Sequence, residues 1–433
     1  MKTFHFLLLT IAGWFLTSCG APEQQVLQHP AWSRDAVIYE VNVRQYTPEG
    51  TFNAFAAHLP RLKDLGVDIL WFMPIHPIGM EERKGLLGSY YSVRDYKAVN
   101  TEFGTLDDFK QLVNQAHDMG FKVIIDWVAN HTSRDAQWIN NEGWYLKDST
   151  GRVKILYDWT DVAELNYDNP DMRRAMTDAM LFWMEETDVD GFRCDVAVEV
   201  PVDFWETAVT EMKAVKPGLF MLAEAEEPAL QQKAFDMYYA WDFHAIMNKV
   251  AQGKETVGAL RNSWQQINNR FPSFSIPMFF TSNHDENSWN GTEFERMGDA
   301  AKTFAALTYI LPGMPLIYNG QEAGFNRRLE FFIKDEIDWT DAGGYFAFYK
   351  TLNQLRKNNP ALHSQPAGGA LQEIANSAPE SVFACERSVE GNRVVAVFNL
   401  SNAPQQVAFE GTTASDLQNG LLLQPWEYKI YIK

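Results

Sequence analysis

Short apolar runs recur along most of this chain, at 36–41, 69–73, 122–127, 191–195, 219–224, 238–242, 277–281 and 314–318. Each is five or six residues long, the length of a strand rather than of a helix. Most are followed by a stretch in which apolar residues return at helical spacing: 52–65, 106–119, 172–187, 201–215 and 298–310. Apolar strands that alternate with helices pair in parallel, with the helices covering the outside. Eight such units predict an α/β fold, a closed (β/α)8 TIM barrel over residues 33–360, with its site at the C-terminal ends of the strands.

Two stretches break this rhythm. From His131 to Asn166 the chain carries Trp138, Trp144, Tyr145, Asp148, Gly151 and Trp159 with no steady period. That predicts a short domain inserted after the third strand, at about 132–166. After Pro360 the pattern turns to β segments at 381–386, 393–400, 405–409 and 427–432, with turns at Gly391-Asn392 and Asn419-Gly420. A C-terminal antiparallel β-sandwich domain is expected over 361–433.

The first residues read as a targeting segment. Lys2 precedes an apolar core from Phe6 to Phe15, too short to span a membrane, and Leu16-Thr17-Ser18-Cys19 follows. That ending resembles a bacterial lipobox. The resemblance implies a signal over 1–19, a lipid on Cys19, a tether over 20–32, and an exported lipoprotein at the outer membrane or cell surface. Cys194 and Cys385 lie far apart, so no disulfide scaffold is expected, and Cys194 suits a small buried thiol. The net charge of −19 argues against nucleic acid or anionic headgroups as partners and suits a neutral saccharide. Fourteen tryptophans could cover sugar faces, although most such rings belong to the core.

Three runs deliver an acid. Gly191-Phe192-Arg193-Cys194-Asp195 and Phe220-Met221-Leu222-Ala223-Glu224 end on one, and Phe280-Thr281-Ser282-Asn283-His284-Asp285 carries another. Paired carboxylates are the usual equipment for cutting glycosidic bonds. Arg193 and Asp195 share a strand face, so Arg193 is expected to keep Asp195 ionised, as a nucleophile requires. The same pair would serve equally as a buried ion pair bracing the barrel. Glu224 closes an apolar run, and an apolar surround would keep its proton on for donation. Asp285, beside His284, suits either stabilisation of positive charge on a sugar ring or a helix cap. Asp126-Trp127-Val128-Ala129-Asn130-His131 follows the third strand, where Asn130 also suits a cap.

In order and spacing these motifs closely resemble the α-amylase family of glycoside hydrolases, family 13, from about Trp32 to the C-terminus. Residues 126–131, 191–195, Glu224 and His284-Asp285 match the family's third-, fourth-, fifth- and seventh-strand motifs, and 66–74, 91–96 and 313–322 agree. The resemblance implies that Asp195 is the nucleophile, Glu224 the general acid and then base, and Asp285 the stabiliser of the distorted sugar. It also implies that Tyr91, His131, Arg193 and His284 line the subsite of the reacting glucose. A retaining mechanism would place the Asp195 and Glu224 carboxyls ~5–5.5 Å apart.

The implied substrates are α-1,4-linked glucans such as starch and maltodextrin. Exo-acting α-glucosidases and transglycosylases, including α-1,6-specific ones, use the same acids. A non-catalytic glycan-binding lipoprotein on this barrel would have lost one of them. Two points stand apart from the family pattern. Many amylases follow the nucleophile with Lys-His at the third and fourth positions, which here are Val198-Glu199. Asn130 matches a position that often binds a structural Ca2+, with Asp161 as a further oxygen ligand. No organic cofactor is implied.

Overall fold

The computed structural model describes residues 27–341, 343–411, 417–418 and 420–433. The expected signal, Cys19 and the first part of the tether lie outside the described residues. Eight parallel strands close a barrel: β1 (Ile38–Val41), β2 (Ile69–Phe72), β3 (Lys122–Trp127), β4 (Gly191–Cys194), β5 (Phe220–Ala223), β6 (Met237–Tyr239), β7 (Ile276–Phe279) and β8 (Met314–Tyr318). Each pairs with its neighbour in sequence, and β1 closes the ring on β8 with Ile38 opposite Leu316. All eight overlap the expected runs, with β6 and β7 each starting one residue earlier than expected. Asp195 and Glu224 stand one residue beyond β4 and β5, at the mouth.

Alternation along the strands builds two cores. Inward residues, among them Ile38, Ile69, Ile124, Leu222, Met278 and Leu316, fill the barrel. Their neighbours Tyr39, Leu70, Phe72, Val123 and Ile125 face outward and join the core shared with the helices. Toward the C-terminal end the inward positions turn polar: Glu40, Asp126 and Arg193 follow Ile38, Ile124 and Gly191 on the same faces, all three fully buried. Gly191 is required by close approach, because a Cβ there would lie 1.8 Å from the Phe220 carbonyl oxygen.

The helices differ from expectation in two ways. The stretch 52–65 is two helices, Phe52–Ala56 and Leu59–Leu65, with Pro60 in the first turn of the second. A proline lacks the N–H that one continuous helix would need there. Helices Trp241–Ala251, Val257–Arg270 and Tyr345–Asn358 were not anticipated. In Val257–Arg270 only Val257, Leu260, Ser263 and Ile267 are buried, a stripe too sparse to stand out among Asn, Gln and Arg.

The excursion after β3 is zipped at its base by His131–Ser133 pairing antiparallel with Val162–Glu164. Beyond the barrel, β9 (Gln372–Glu373), β10 (Val382–Val389), β11 (Asn392–Asn399) and β14 (Tyr428–Ile432) form one antiparallel sheet, and β12 (Gln405–Val407) with β13 (Leu421–Leu423) another. Val382, Ala384, Val395 and Val397 meet Val407 and Leu423 between the sheets. The opposite face, with Phe383, Cys385, Val394 and Phe398, joins the barrel's outer core. Buried Arg387 ties the larger sheet to the barrel, donating to the carbonyls of Ile310 and Leu311 at 3.1 Å and of His363 at 2.6 Å. Cys194 and Cys385 are both free and buried.

Candidate active site

The polar layer at the top of the barrel converges on one guanidinium. Arg193, wholly buried on β4, donates from Nη1 to Asp126 Oδ1 at 2.9 Å and to Asp195 Oδ1 at 3.1 Å. Its Nη2 lies 2.9 Å from Glu224 Oε1, close as an ion pair but out of line for a hydrogen bond. Nε donates to Tyr239 Oη at 3.1 Å, and the Trp71 ring lies 5.0 Å away. One cation therefore serves three carboxylates.

That ratio overturns the expectation that Arg193 keeps Asp195 ionised. Burial pushes the Asp195 carboxyl well above the usual range, Glu224 pushes it further, and the pull of Arg193 does not compensate. Asp126 is pushed up to about 6, first by burial. The expected apolar surround of Glu224 is also absent. The apolar run before it faces the barrel and helices, while its carboxyl meets Arg193 and accepts the Val196 N–H at 2.8 Å. Val196 makes that bond from a φ of 36°, a left-handed conformation that costs a β-branched residue strain.

Across the mouth, His284 Nε2 lies 2.7 Å from Tyr91 Oη and 3.2 Å from Asp285 Oδ2. Its Nδ1 lies 2.5 Å from Glu40 Oε1. Burial works against charge on His284, but Asp285 and Glu40 together push it up to about 9. Tyr91 donates to Asp126 Oδ2 at 3.1 Å. His131 is the opposite case: burial lowers it to about 4, so it is neutral. A cleft of about 490 Å3 runs over these groups, lined by Tyr91, His131, Asp195, Glu224, His284 and Asp285. The sequence-predicted residues thus meet in one place, with Arg193 as its floor.

Aromatic walls flank the acids. On one side His284 stacks on Tyr91, Tyr91 on Phe331, and Phe331 meets Trp289, which is half exposed. On the other, His131 meets Trp159, and Trp159 meets Tyr157. Flat rings beside carboxylates suit the apolar faces and hydroxyl edges of sugars.

The family model described as Alpha amylase, catalytic domain, matches residues 30–148 and 139–341. The chain belongs to the α-amylase family. An α-amylase of Lactobacillus plantarum has a solved structure that superposes with a TM-score of 0.83 at 31% identity, covering 92% of this chain and 99% of that one. A maltogenic α-amylase of Thermotoga neapolitana superposes at 0.79 and 30%, covering 87% and 88%. An α-amylase of Haloarcula japonica is 30% identical over 421 residues, 93% of this chain but 61% of that protein. The chain spans about three fifths of that relative's length.

The family's calcium position can be tested against the donors present. The Asn130 amide Nδ2 lies 3.3 Å from His131 Nδ1. Asp161 Oδ1 faces the Lys84 ammonium at 3.3 Å, a cation already beside the second expected ligand. Among the described residues no three His, Cys, Asp or Glu side chains are grouped to hold a metal ion. Asn130 and Asp161 are two residues toward the roughly six to eight oxygen ligands that Ca2+ takes.

Several site residues escaped the sequence. Asp126 was seen only as the start of a motif, and Glu40, Trp289, Phe331 and Phe332 not at all. Glu40 did leave a signal, an acid on the inward face of a barrel strand, two residues after Ile38. The aromatics left none, because a single helical turn such as Trp289's and loop residues such as Phe331 and Phe332 carry no period.

Proposed function

We propose that this protein hydrolyses α-glucosidic bonds, α-1,4 first, in maltodextrin, starch or related glucans, with retention through a glycosyl-Asp195 intermediate. The observation that carries the reading is the cluster of Asp195 and Glu224 on one guanidinium beneath an aromatic-walled cleft. Two carboxyls held by one side chain suit the short separation of retaining enzymes, ~5–5.5 Å, rather than the ~6.5–9.5 Å of inverting ones.

In this mechanism Glu224 protonates the leaving oxygen while Asp195 attacks the anomeric carbon. The C–O bond breaks as the C–O bond to Asp195 forms, and the aglycone leaves with the Glu224 proton. Glu224, now a carboxylate, takes a proton from water, whose oxygen displaces Asp195 and restores the starting anomer. Asp285 and the His284 pair hold the sugar hydroxyls and stabilise charge on the ring. A cleft of about 490 Å3 fits a small ligand, which favours short maltooligosaccharides or chain ends. Val198 and Glu199 shape the leaving-group side, where Tyr157 Oη donates to Glu199 Oε1 at 2.5 Å.

Product analysis on maltoheptaose, soluble starch and pullulan, with anomers followed by NMR, tests this reading. Maltooligosaccharides first appearing as the α-anomer are expected. A β-anomer would remove the retaining mechanism, and cleavage confined to α-1,6 bonds would remove the substrate assignment.

We further propose that Cys19 carries a lipid anchoring the protein at the outer membrane or cell surface. The Leu16-Thr17-Ser18-Cys19 run supports this. Metabolic labelling with a fatty acid should mark the full-length protein and not Cys19→Ser, and equal labelling of both excludes it.

A further inference from the structure

We propose that Glu40, at the top of β1, is a positioning residue that holds His284 as a doubly donating imidazolium and so sets the direction of a hydrogen-bond chain across the site. For its catalytic consequence the proposal rests on the glycosidase reading. For its structural content it rests on geometry alone.

Both ring nitrogens of His284 face carboxylates. Nδ1 lies 2.5 Å from Glu40 Oε1 and Nε2 lies 3.2 Å from Asp285 Oδ2. A nitrogen that faces an ionised oxygen must bring a proton, and two such nitrogens make the ring a cation. Glu40 is wholly buried, and among the described residues its Oε2 has no hydrogen-bond partner, so Oε1 carries the side-chain bond, to His284. A buried carboxylate with one partner draws its compensation from that partner.

The rest of the chain depends on this state. Tyr91 has one hydroxyl proton and two neighbours, His284 Nε2 at 2.7 Å and Asp126 Oδ2 at 3.1 Å. With His284 protonated at Nε2, Tyr91 accepts from the ring and donates to Asp126. Asp126 in turn accepts from Arg193 at 2.9 Å, and Arg193 holds Asp195. With a neutral ring the Nε2 lone pair would face Asp285, and Tyr91 would have to choose between His284 and Asp126. Glu40 thereby couples the Asp285 side of the cleft to the nucleophile side.

The charged and titratable groups around the pair are Asp285 beside it, Tyr91 from the loop after β2, Asp126 on β3 and Arg193 on β4. Tyr239 on β6 and Tyr318 on β8 face Glu40. Burial raises Glu40 above the ordinary carboxylate value, and the pull of His284 and then Arg193 offsets only part of that rise. Asp285 and Glu40 together outweigh burial at His284.

The test is a histidine-labelled NMR titration of the full-length protein, with the His284 signal assigned by its loss in His284→Gln. In the wild type His284 should titrate above about 8, well over the ordinary value near 6.5. In Glu40→Gln it should fall by at least about one unit, a tenfold loss of proton affinity. The alkaline limb of kcat/KM should fall with it while the acid limb stays. His284 titrating near or below 6.5 in the wild type overturns the proposal without any variant. So does an unchanged titration in Glu40→Gln, or lost activity with an unmoved pH profile, which marks a merely structural role. Because the NMR reading needs no substrate, it stands apart from any failure of the glucan assignment.

Discussion

Asp195→Asn is expected to lower turnover of a maltooligosaccharide by at least about 10⁴-fold and to raise the melting temperature at neutral pH. The first effect follows from chemistry. The amide occupies the same space beside Arg193 but cannot form the glycosyl ester. The second follows from crowding, because Asp195 is buried with Asp126, and beside Glu224, against one guanidinium. Its folded-state pKa is raised, first by burial and then by Glu224. The ionised form therefore costs stability as pH rises through that raised value, and costs nothing below the ordinary carboxylate range. Replacing it should raise Tm at pH 8 and leave Tm unchanged toward pH 4. Kinetics and calorimetry across that range check both halves. Near-normal turnover would remove Asp195 as nucleophile, and a Tm loss at pH 8 would remove the crowding argument.

Glu224→Gln is expected to lower turnover of unactivated maltooligosaccharides by about 10²–10⁴-fold, and to do much less to formation of the intermediate from a substrate with a good leaving group. Glutamine keeps an acceptor for the Val196 N–H while losing the proton to donate and the base that activates water. Azide needs no base. With an activated glycoside it should restore turnover and yield the α-glycosyl azide, the product of a second displacement at Asp195. Absence of rescue, with the intermediate still formed, would make Glu224 a structural partner of Arg193. The pH profile of the wild type should be bell-shaped, with the acid limb set by ionisation of the nucleophile Asp195 and the alkaline limb by loss of the His284 proton.

The barrel was legible because its signals are local. Five or six apolar residues bounded by turns name a strand, and period two places Arg193 and Asp195 on one face. Helix Val257–Arg270 was hidden because only four of its residues are buried. The surroundings first read for Asp195 and Glu224 were drawn from immediate neighbours, and both differ in the structure for that reason. Asp195 was judged by Arg193 alone, although Glu224 and Asp126 compete for the same guanidinium. Glu224 was judged by the apolar run before it, although a residue one position past a strand faces the cleft and not the sheet.

By itself the sequence determined the eight-strand order, the placing of three acids at strand ends and the family. Such features depend on periodicity and on motif spacing, which are properties of neighbouring residues. Only the tertiary structure decided the electrostatics. Glu40 meets His284 across 244 positions, and Asp126, Asp195 and Glu224 share Arg193 from three strands. Charge state is a sum over everything within a few ångströms, and in a closed barrel those groups come from every part of the chain.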